Sequence, residues 1–285
     1  VENWQQIFKK SAFRLFDHSA ITNFGGHAFT AESSFAIDDA LALSVSDGAL
    51  PVMRLWVHEP TIVLGIPDSR LPHLEDGLEY AYENKHKIIV RNSGGLAVVL
   101  DQNVLNISLI LPGARHMGIH ECYEMMVAFV RFMLRDWTNS IEAYEIGGSY
   151  CPGDYDLSIN GKKFAGISQR RVKEGAAIQI YLDAAGDSQA RAALVRNFYE
   201  RSLGNETVKT PPPEIRPETM ASLSELLQRD ITVEMLTEKA TVCLKLLSAG
   251  IVQEAFTKAE QAAFISRLAL MEKRNEPLHR HKSDN

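Results

Sequence analysis

The sequence predicts an α+β fold of mainly antiparallel sheets flanked by helices. Two observations carry this reading. Segments with helical and strand periodicity mix without a steady βαβ rhythm, which argues against a doubly wound parallel sheet. The dipeptide Asn160-Gly161 joins two short strand-like segments, and such a pair tolerates positive φ at both central positions of a type I′ hairpin turn. At 285 residues, 45% hydrophobic and 23% charged, the chain can bury a large core in one domain or two.

Taken in order, residues 1–30 read as an irregular lead-in with one strand around 13–16. From Ala31, the apolar residues Phe35, Ile37, Leu41 and Leu43 recur at helical spacing, and Gly48 is placed to stop the helix. Residues 52–66 read as two strands about a turn at Glu59-Pro60. A helix is expected over 71–86, then strands over 88–91, 96–100 and 105–110, joined by a Ser-Gly-Gly loop and an Asp-Gln-Asn turn. An amphipathic helix over 121–137 precedes the hairpin; a strand over 176–183 and a helix from Ser188 follow it. The stretch NETVKTPPPEIRP cannot continue a helix or a central strand, because proline lacks the N–H that both require. Residues 217–275 then read as wholly helical, and the last ten residues as polar and frayed. The expected organisation is a main domain over residues 30–210 with a helical extension, 217–275, packed on the same domain.

Composition narrows the function. A net charge of −6 argues against nucleic acid as the main partner. No apolar run approaches the roughly 20 residues that span a bilayer, and charges are scattered through VENWQQIFKKSAFRLFD. No secretory signal or membrane association is therefore expected, and the cytoplasm is the expected compartment. The three cysteines are odd in number and widely spaced, which fits neither a disulfide framework nor a zinc site. Cys122 and Cys243 sit in helical patterns and read as small buried hydrophobes. Cys151 differs, being flanked by Gly147-Gly148, Pro152 and Gly153, which is loop chemistry.

The segment 149–171, SYCPGDYDLSINGKKFAGISQRR, holds the first candidate site. A two-residue turn sets Ile159 against Lys162 and Ser158 against Lys163, with Asp156 expected opposite Ala165. Asp156, Ser158 and Lys163 then share one face, while Leu157, Ile159 and Phe164 take the buried side. Cys151 and Lys163 read either as a reactive pair or as a half-buried thiol beside a solvated amine. The second feature is Arg91-Asn92-Ser93-Gly94-Gly95. Adjacent glycines let backbone approach a ligand and free N–H groups to bind oxygens, and the arginine can clamp a carboxylate or phosphate. The same residues also fit a plain tight turn.

Together, RNSGGLAVVLD-x-x-VLNIS and GKKFAGISQRR resemble the biotin/lipoate protein ligase and octanoyltransferase superfamily. Its marks are an Arg-x-x-Gly-Gly loop (Arg91, Gly94, Gly95), a Leu-Asn-x-Ser strand (105–108) and a Lys-x-x-Gly motif (Lys163, Gly166). SYCPGDYDLSINGKKFAGISQRR is similar to the bacterial branch of lipoyl amidotransferases, the octanoyl-[glycine cleavage H protein]:protein octanoyltransferases. The resemblance implies that residues 30–210 are catalytic, that Cys151 is the acyl-accepting nucleophile, and that Lys163 is the essential lysine beside it. It makes Arg91, Ser93, Gly94, Gly95, Asn106 and Gly166 substrate-binding residues, with no metal and no cofactor. The implied donor is the octanoylated glycine cleavage H protein, and the implied acceptors are lipoyl domains of 2-oxoacid dehydrogenase complexes.

The physical case is that a free cysteine is only a few per cent thiolate at neutral pH. An ammonium about 4 Å from a thiolate attracts it by up to roughly 4 kcal/mol at an effective dielectric near 20. An apolar slot for the acyl chain is expected on the strands bearing Val98, Leu100, Leu105 and Ile107, residues that equally suit plain core. His58 and His120 are candidate bases that nothing in the sequence places near Cys151. Asp156 either orients Lys163 or caps a turn. Arg170, Arg171 and Lys173 either dock an acidic carrier domain or form a solvated strand end. Three alternatives remain at this point: an ATP-dependent lipoate–protein ligase, an octanoyltransferase fed by acyl carrier protein, and a non-catalytic binder of acylated proteins.

Overall fold

The computed structural model describes residues 4–280. Helix α1 (Trp4–Lys9) leads into strand β1 (Ala12–His18) and a small ribbon, β2 (Asn23–Phe24) and β3 (His27–Ala28). Helix α2 (Ala31–Ser46) starts at Thr30, whose side chain accepts from the Ser33 N–H, and it stops at Asp47 and Gly48, where φ is +100°. Strands β4 (Val52–Trp56) and β5 (Thr61–Leu64) follow, then a 3₁₀ turn (Asp68–Arg70), helix α3 (Leu74–Glu83) and strands β6 (Lys87–Val90), β7 (Val98–Leu100) and β8 (Val104–Leu111). After α4 (Ile119–Leu134) come β9 (Glu142–Ala143), β10 (Leu157–Ile159), β11 (Lys162–Val172), β12 (Gly175–Asp183) and α5 (Ser188–Leu203). The chain ends with α6 (Leu223–Leu227), α7 (Val233–Leu247), β13 (Gly250–Val252) and α8 (Lys258–Arg280). None of the described helices is long and apolar enough to cross a membrane.

The strands form one eight-stranded sheet, ordered β13-β1-β4-β8-β12-β11-β10-β9, and one three-stranded sheet, β6-β5-β7. The large sheet is antiparallel from β4 onward and parallel at its β13-β1-β4 edge. In the small sheet β5 pairs parallel with β6 and antiparallel with β7. The two strands about Glu59-Pro60 thus belong to different sheets. Alternation along β8 explains how the large sheet separates two cores. Leu105, Ile107, Leu109 and Leu111 join the core under α4 and α7, while Val104 and Ile110 join the core under α2, α8 and the small sheet.

The polar members of that second face, Asn106 and Ser108, begin a buried network. Asp38 on α2 accepts from Arg54 Nε (2.8 Å), Ser108 Oγ (2.7 Å) and Gln179 Nε2 (2.6 Å), so a fully buried carboxylate is paired as burial requires. It locks α2 onto β4, β8 and β12.

The structure revises several expectations. Residues 217–275 are not wholly helical: β13 lies in this stretch and extends the β1 edge of the large sheet. Residues 276–280 continue α8, and residues 281–285, also expected to fray, lie outside the described residues. The proline-rich connector packs behind the cysteine loop, where the Arg216 N–H donates to Gly148 O (2.7 Å). Helix α8 packs on α2 and reaches the small sheet. There Asn275 accepts from the Val90 N–H (2.6 Å) and donates to Val90 O (3.3 Å), closing the open edge of β6.

Candidate active site

The β10–β11 hairpin turns at Asn160 (φ +53°) and Gly161 (φ +73°), as a type I′ turn demands. Ser158 faces Lys163 and Ile159 faces Lys162, but Ala165 faces Leu157 rather than Asp156. A bulge absorbs one residue there, adding twist without undoing the sharing of faces. Leu157, Ile159 and Phe164 are buried in the core under α4. Lys163 turns the other way and is fully buried, which makes it neither solvated nor on an open strand face.

Its ammonium meets oxygen throughout. Lys163 Nζ donates to Cys151 O (2.8 Å), Tyr150 O (3.0 Å) and Ser149 Oγ (3.3 Å), and pairs with Asp156 Oδ1 at 2.8 Å. Asp156 also accepts from the N–H groups of Ile146 (3.3 Å) and Gly153 (3.2 Å), so it both anchors the lysine and caps the loop. Burial raises its carboxyl above the usual range, against the opposing pull of Lys163. This cluster pins the cysteine loop from behind. Cys151 needs the pinning, because its φ of +46° lies in the left-handed region that costs a non-glycine residue roughly 1–2 kcal/mol.

The sulfur itself is met by a different set. Cys151 Sγ accepts from the Leu96 N–H at 3.1 Å and from Arg91 Nη2 at 3.5 Å. Arg91 is buried and also donates to Leu96 O (2.8 Å), which ties the two donors into one unit. The positive charge expected from Lys163 therefore reaches the thiol from Arg91, and the lysine serves the carbonyl of the same residue. Glycine at position 95 is required for this packing: its φ is +101°, and a Cβ there would collide with Arg91 Nη2 and lie 2.9 Å from Sγ. At Gly65, a Cβ would collide with the Gly95 carbonyl oxygen, so the end of β5 abuts the loop backbone.

Cys151 opens into a cavity of about 230 Å³. Arg91, Gly94, Gly95, Asn106 and Gly166 line it, whereas Ser93 and Lys163 do not. Ser93 lies behind the wall, with its Oγ 3.5 Å from Ser168 Oγ. Gly166 makes room for Tyr181, whose ring carbon would lie 2.8 Å from an added Cβ. Of the expected slot residues, Val98 and Leu100 face the cavity, while Leu105 and Ile107 project to the opposite core, one residue out of phase with Asn106.

The buried apolar part of the lining is Phe35, Trp56, Val63, Val98 and Leu100, with buried Asn106 and Gln179 among them. The exposed and half-buried part of the lining includes Gly94, His120, Tyr123, Asp154 and Tyr155. His120 Nδ1 lies 3.2 Å from Tyr155 Oη. His58 stays in the core between Phe29 and Trp56, its Nε2 2.9 Å from Ser34 Oγ. Phe35, Trp56, Tyr123, Tyr181 and Gln179 were not legible as site residues, since their elements meet only in the tertiary fold.

The basic cluster beyond the hairpin is engaged within the chain. Arg170 Nε donates to Asp39 Oδ1 (3.0 Å), and Arg171 Nη2 donates to Met117 O (2.8 Å). Lys173 Nζ lies 3.9 Å from Asp47.

Comparison with known proteins identifies the family. The family model described as lipoyl protein ligase A/B catalytic domain matches residues 30–244. The chain is 51% identical over 277 residues to an octanoyl-[GcvH]:protein N-octanoyltransferase of Oceanobacillus iheyensis, covering 97% of this chain and 99% of the relative. It is 43% identical over 260 residues to a lipoyl-[GcvH]:protein N-lipoyltransferase of Listeria monocytogenes, covering 90% and 92%. Among solved structures, lipoate-protein ligase A bound with ATP superposes with a TM-score of 0.68 at 16% identity, over 91% of this chain and 94% of that one. A bipartite lipoate protein ligase from Thermoplasma acidophilum gives 0.67 at 18% identity, over 94% and 97%. Sequence and fold lead to one assignment: the chain belongs to the lipoyl protein ligase A/B catalytic domain family.

Proposed function

We propose that this protein is a cysteine-dependent acyltransferase that moves an octanoyl group from an octanoyl-lysine of the glycine cleavage H protein to a lysine on a lipoyl domain. The names of its relatives supply the donor and the acyl class. The lipoyl domains of 2-oxoacid dehydrogenase complexes are our inference for the acceptor. One observation carries the mechanism: Cys151 Sγ sits in a partly apolar cavity with two N–H donors directed at it.

In the first step the Cys151 thiolate attacks the amide carbonyl carbon of octanoyl-lysine. A C–S bond forms, the C–N bond breaks, and the departing lysine amine takes one proton from solvent. In the second step the neutral amine of the acceptor lysine attacks the thioester. A C–N bond forms, the amine's extra proton returns to solvent, and the C–S bond breaks to restore the thiolate. One amide replaces another, so the exchange is nearly balanced without a nucleotide, and covalent catalysis divides it into two easier steps. Arg91 and the Leu96 N–H stabilise charge on sulfur when it enters and when it leaves. Hydrogen bonds to a charged group are typically worth about 1.5–3 kcal/mol each. The octanoyl chain lies toward Trp56 and Phe35, away from water that would hydrolyse the thioester.

The rival within the family is an ATP-dependent ligase. The lysine argues against it: Lys163 is already neutralised by Asp156 and saturated with oxygen acceptors, leaving it poorly suited to a phosphate. The test is intact-protein mass spectrometry of wild type and Cys151→Ser mixed with octanoylated H protein, with and without ATP. A gain of one octanoyl group on Cys151 in wild type alone is expected. ATP-dependent transfer surviving in Cys151→Ser would overturn the proposal, and acylation only from octanoyl-acyl carrier protein would reassign the donor.

A further inference from the structure

A buried pair lies outside the cavity, behind the loop that carries the Leu96 N–H. Tyr199 on α5 and Asp68 in the 3₁₀ turn are 4% and 3% exposed, and neither lines the cavity. Tyr199 Oη donates to Asp68 Oδ1 (2.9 Å) and accepts from the Ala97 N–H (3.1 Å). Asp68 Oδ2 accepts from the Gly65 N–H (2.7 Å). Gly65 in turn abuts the carbonyl of Gly95. The residue between these anchors is Leu96, whose N–H donates to Cys151 Sγ at 3.1 Å.

Resting on the reading of Cys151 as nucleophile, we propose that Asp68 and Tyr199 are positioning residues of the transfer reaction: their hydrogen-bonded pair anchors the Ala97 N–H and thereby fixes the preceding Leu96 N–H on the sulfur. A peptide group can rotate about its neighbouring single bonds unless both sides are held. Here Gly65 blocks one side and Tyr199 grips the other. The arrangement has the form of a supporting shell that locks a reactive centre through a second layer of hydrogen bonds. Burial pushes the Asp68 carboxyl up to about 6, opposed by the Gly65 N–H, the Tyr199 hydroxyl and Arg91. Arg91, the other donor to Sγ, is among the charges acting on this carboxyl.

The test uses the full-length chain and octanoylated H protein as donor, following acyl-enzyme formation by quench and intact-mass measurement, with the adduct mapped by peptide. Tyr199→Phe keeps the ring and removes the hydroxyl. The expected result is about a tenfold slower acylation with KM for the donor protein unchanged, because the cavity and its mouth are untouched. Alkylation of Cys151 by iodoacetamide at fixed pH slows in parallel. Asp68→Ala behaves like Tyr199→Phe, and the double variant is no slower than Asp68→Ala alone, because the two residues act as one unit. That non-additivity separates positioning from simple loss of stability, which melting curves track independently. If Tyr199→Phe does not fold, the acylation and iodoacetamide rates of Asp68→Ala decide. Wild-type rates in Tyr199→Phe, or in Asp68→Ala, overturn the inference, as does a double variant slowed by the product of the two single losses. Absence of any adduct on Cys151 in the wild type instead overturns the nucleophile assignment itself.

Discussion

Replacing Gly95 by alanine perturbs the sulfur most directly. The backbone there has φ of +101°, which an alanine adopts at a cost of roughly 1–2 kcal/mol. The added methyl would also collide with Arg91 Nη2 and sit 2.9 Å from Cys151 Sγ, closer than real Cβ atoms approach. Arg91 is buried and tied to Leu96 O, so it cannot swing into solvent. Relief must come from moving the guanidinium, the sulfur, or both. Losing one hydrogen bond to a charged sulfur costs about 1.5–3 kcal/mol, which lowers the thiolate fraction at about 1.36 kcal/mol per tenfold, and part of that donor's contribution survives displacement. Gly95→Ala is therefore expected to slow acyl-enzyme formation about tenfold and to lower the melting temperature by roughly 2–6 °C. The neighbouring Gly94→Ala adds its methyl where nothing lies within 4 Å, so its stability should change by less than about 0.5 kcal/mol. Stopped acylation reactions read by intact mass, with melting curves of both variants, make the comparison. An acylation rate for Gly95→Ala within threefold of wild type would refute the claim that Arg91 and Leu96 hold the reactive sulfur.

Lys163→Met leaves the buried Asp156 without its cation and should cost about 3–5 kcal/mol in urea unfolding, while Asp156→Leu combined with Lys163→Met should recover part of that loss. His58 is held down to about 3 by burial and then by Arg54. A base whose folded pKa is depressed contributes stability that is fully present above about 6.5 and is lost as pH falls toward 3. Between pH 6.5 and 4.5 the wild type should lose roughly 2 kcal/mol through this residue; His58→Gln should show a visibly shallower decline, with His18, also held down to about 3, still contributing in both. Arg170→Ala removes a partner of the buried Asp39 and should cost about 1 kcal/mol of stability, with KM for the donor protein changing less than twofold. A large KM increase would restore the basic strand as a docking surface.

Much of the frame was legible because periodicity fixes it. The apolar spacing of α2, the continuous run of β8 and the Asn160-Gly161 turn each specify one local structure, and the hairpin correctly set Ser158 against Lys163. The motif residues Arg91, Gly94, Gly95, Asn106, Cys151 and Gly166 converge on one cavity. What failed depends on where long side chains end. A face can be read from alternation, but a lysine tip can reach several groups, and Lys163 binds the Cys151 carbonyl while Arg91 takes the sulfur. The basic residues after the hairpin looked free because their partners, Asp39 and Met117, lie far away in sequence. Gly250–Val252 was lost inside a helical pattern because three residues carry no period of their own, and only the exposed edge of β1 gives them a reason to extend. Tyr199 and Asp68 had no sequence signal, since what matters about them is the backbone N–H groups they hold.

Asn275 ties α8 to the strand that leads into Arg91. By mimicking a neighbouring strand, its amide satisfies both polar groups of Val90, and the next residue is the arginine that reaches the sulfur. Shaving the tail back past this one side chain would strand a donor and an acceptor among apolar neighbours, each at about 1–3 kcal/mol. The loss would fall on the end of β6, one residue before Arg91, whose own N–H is held separately by Leu64 O (3.0 Å). Trimming the last helix is thus a matter of keeping the small sheet's rim closed, with the sulfur's arginine anchored from the neighbouring strand.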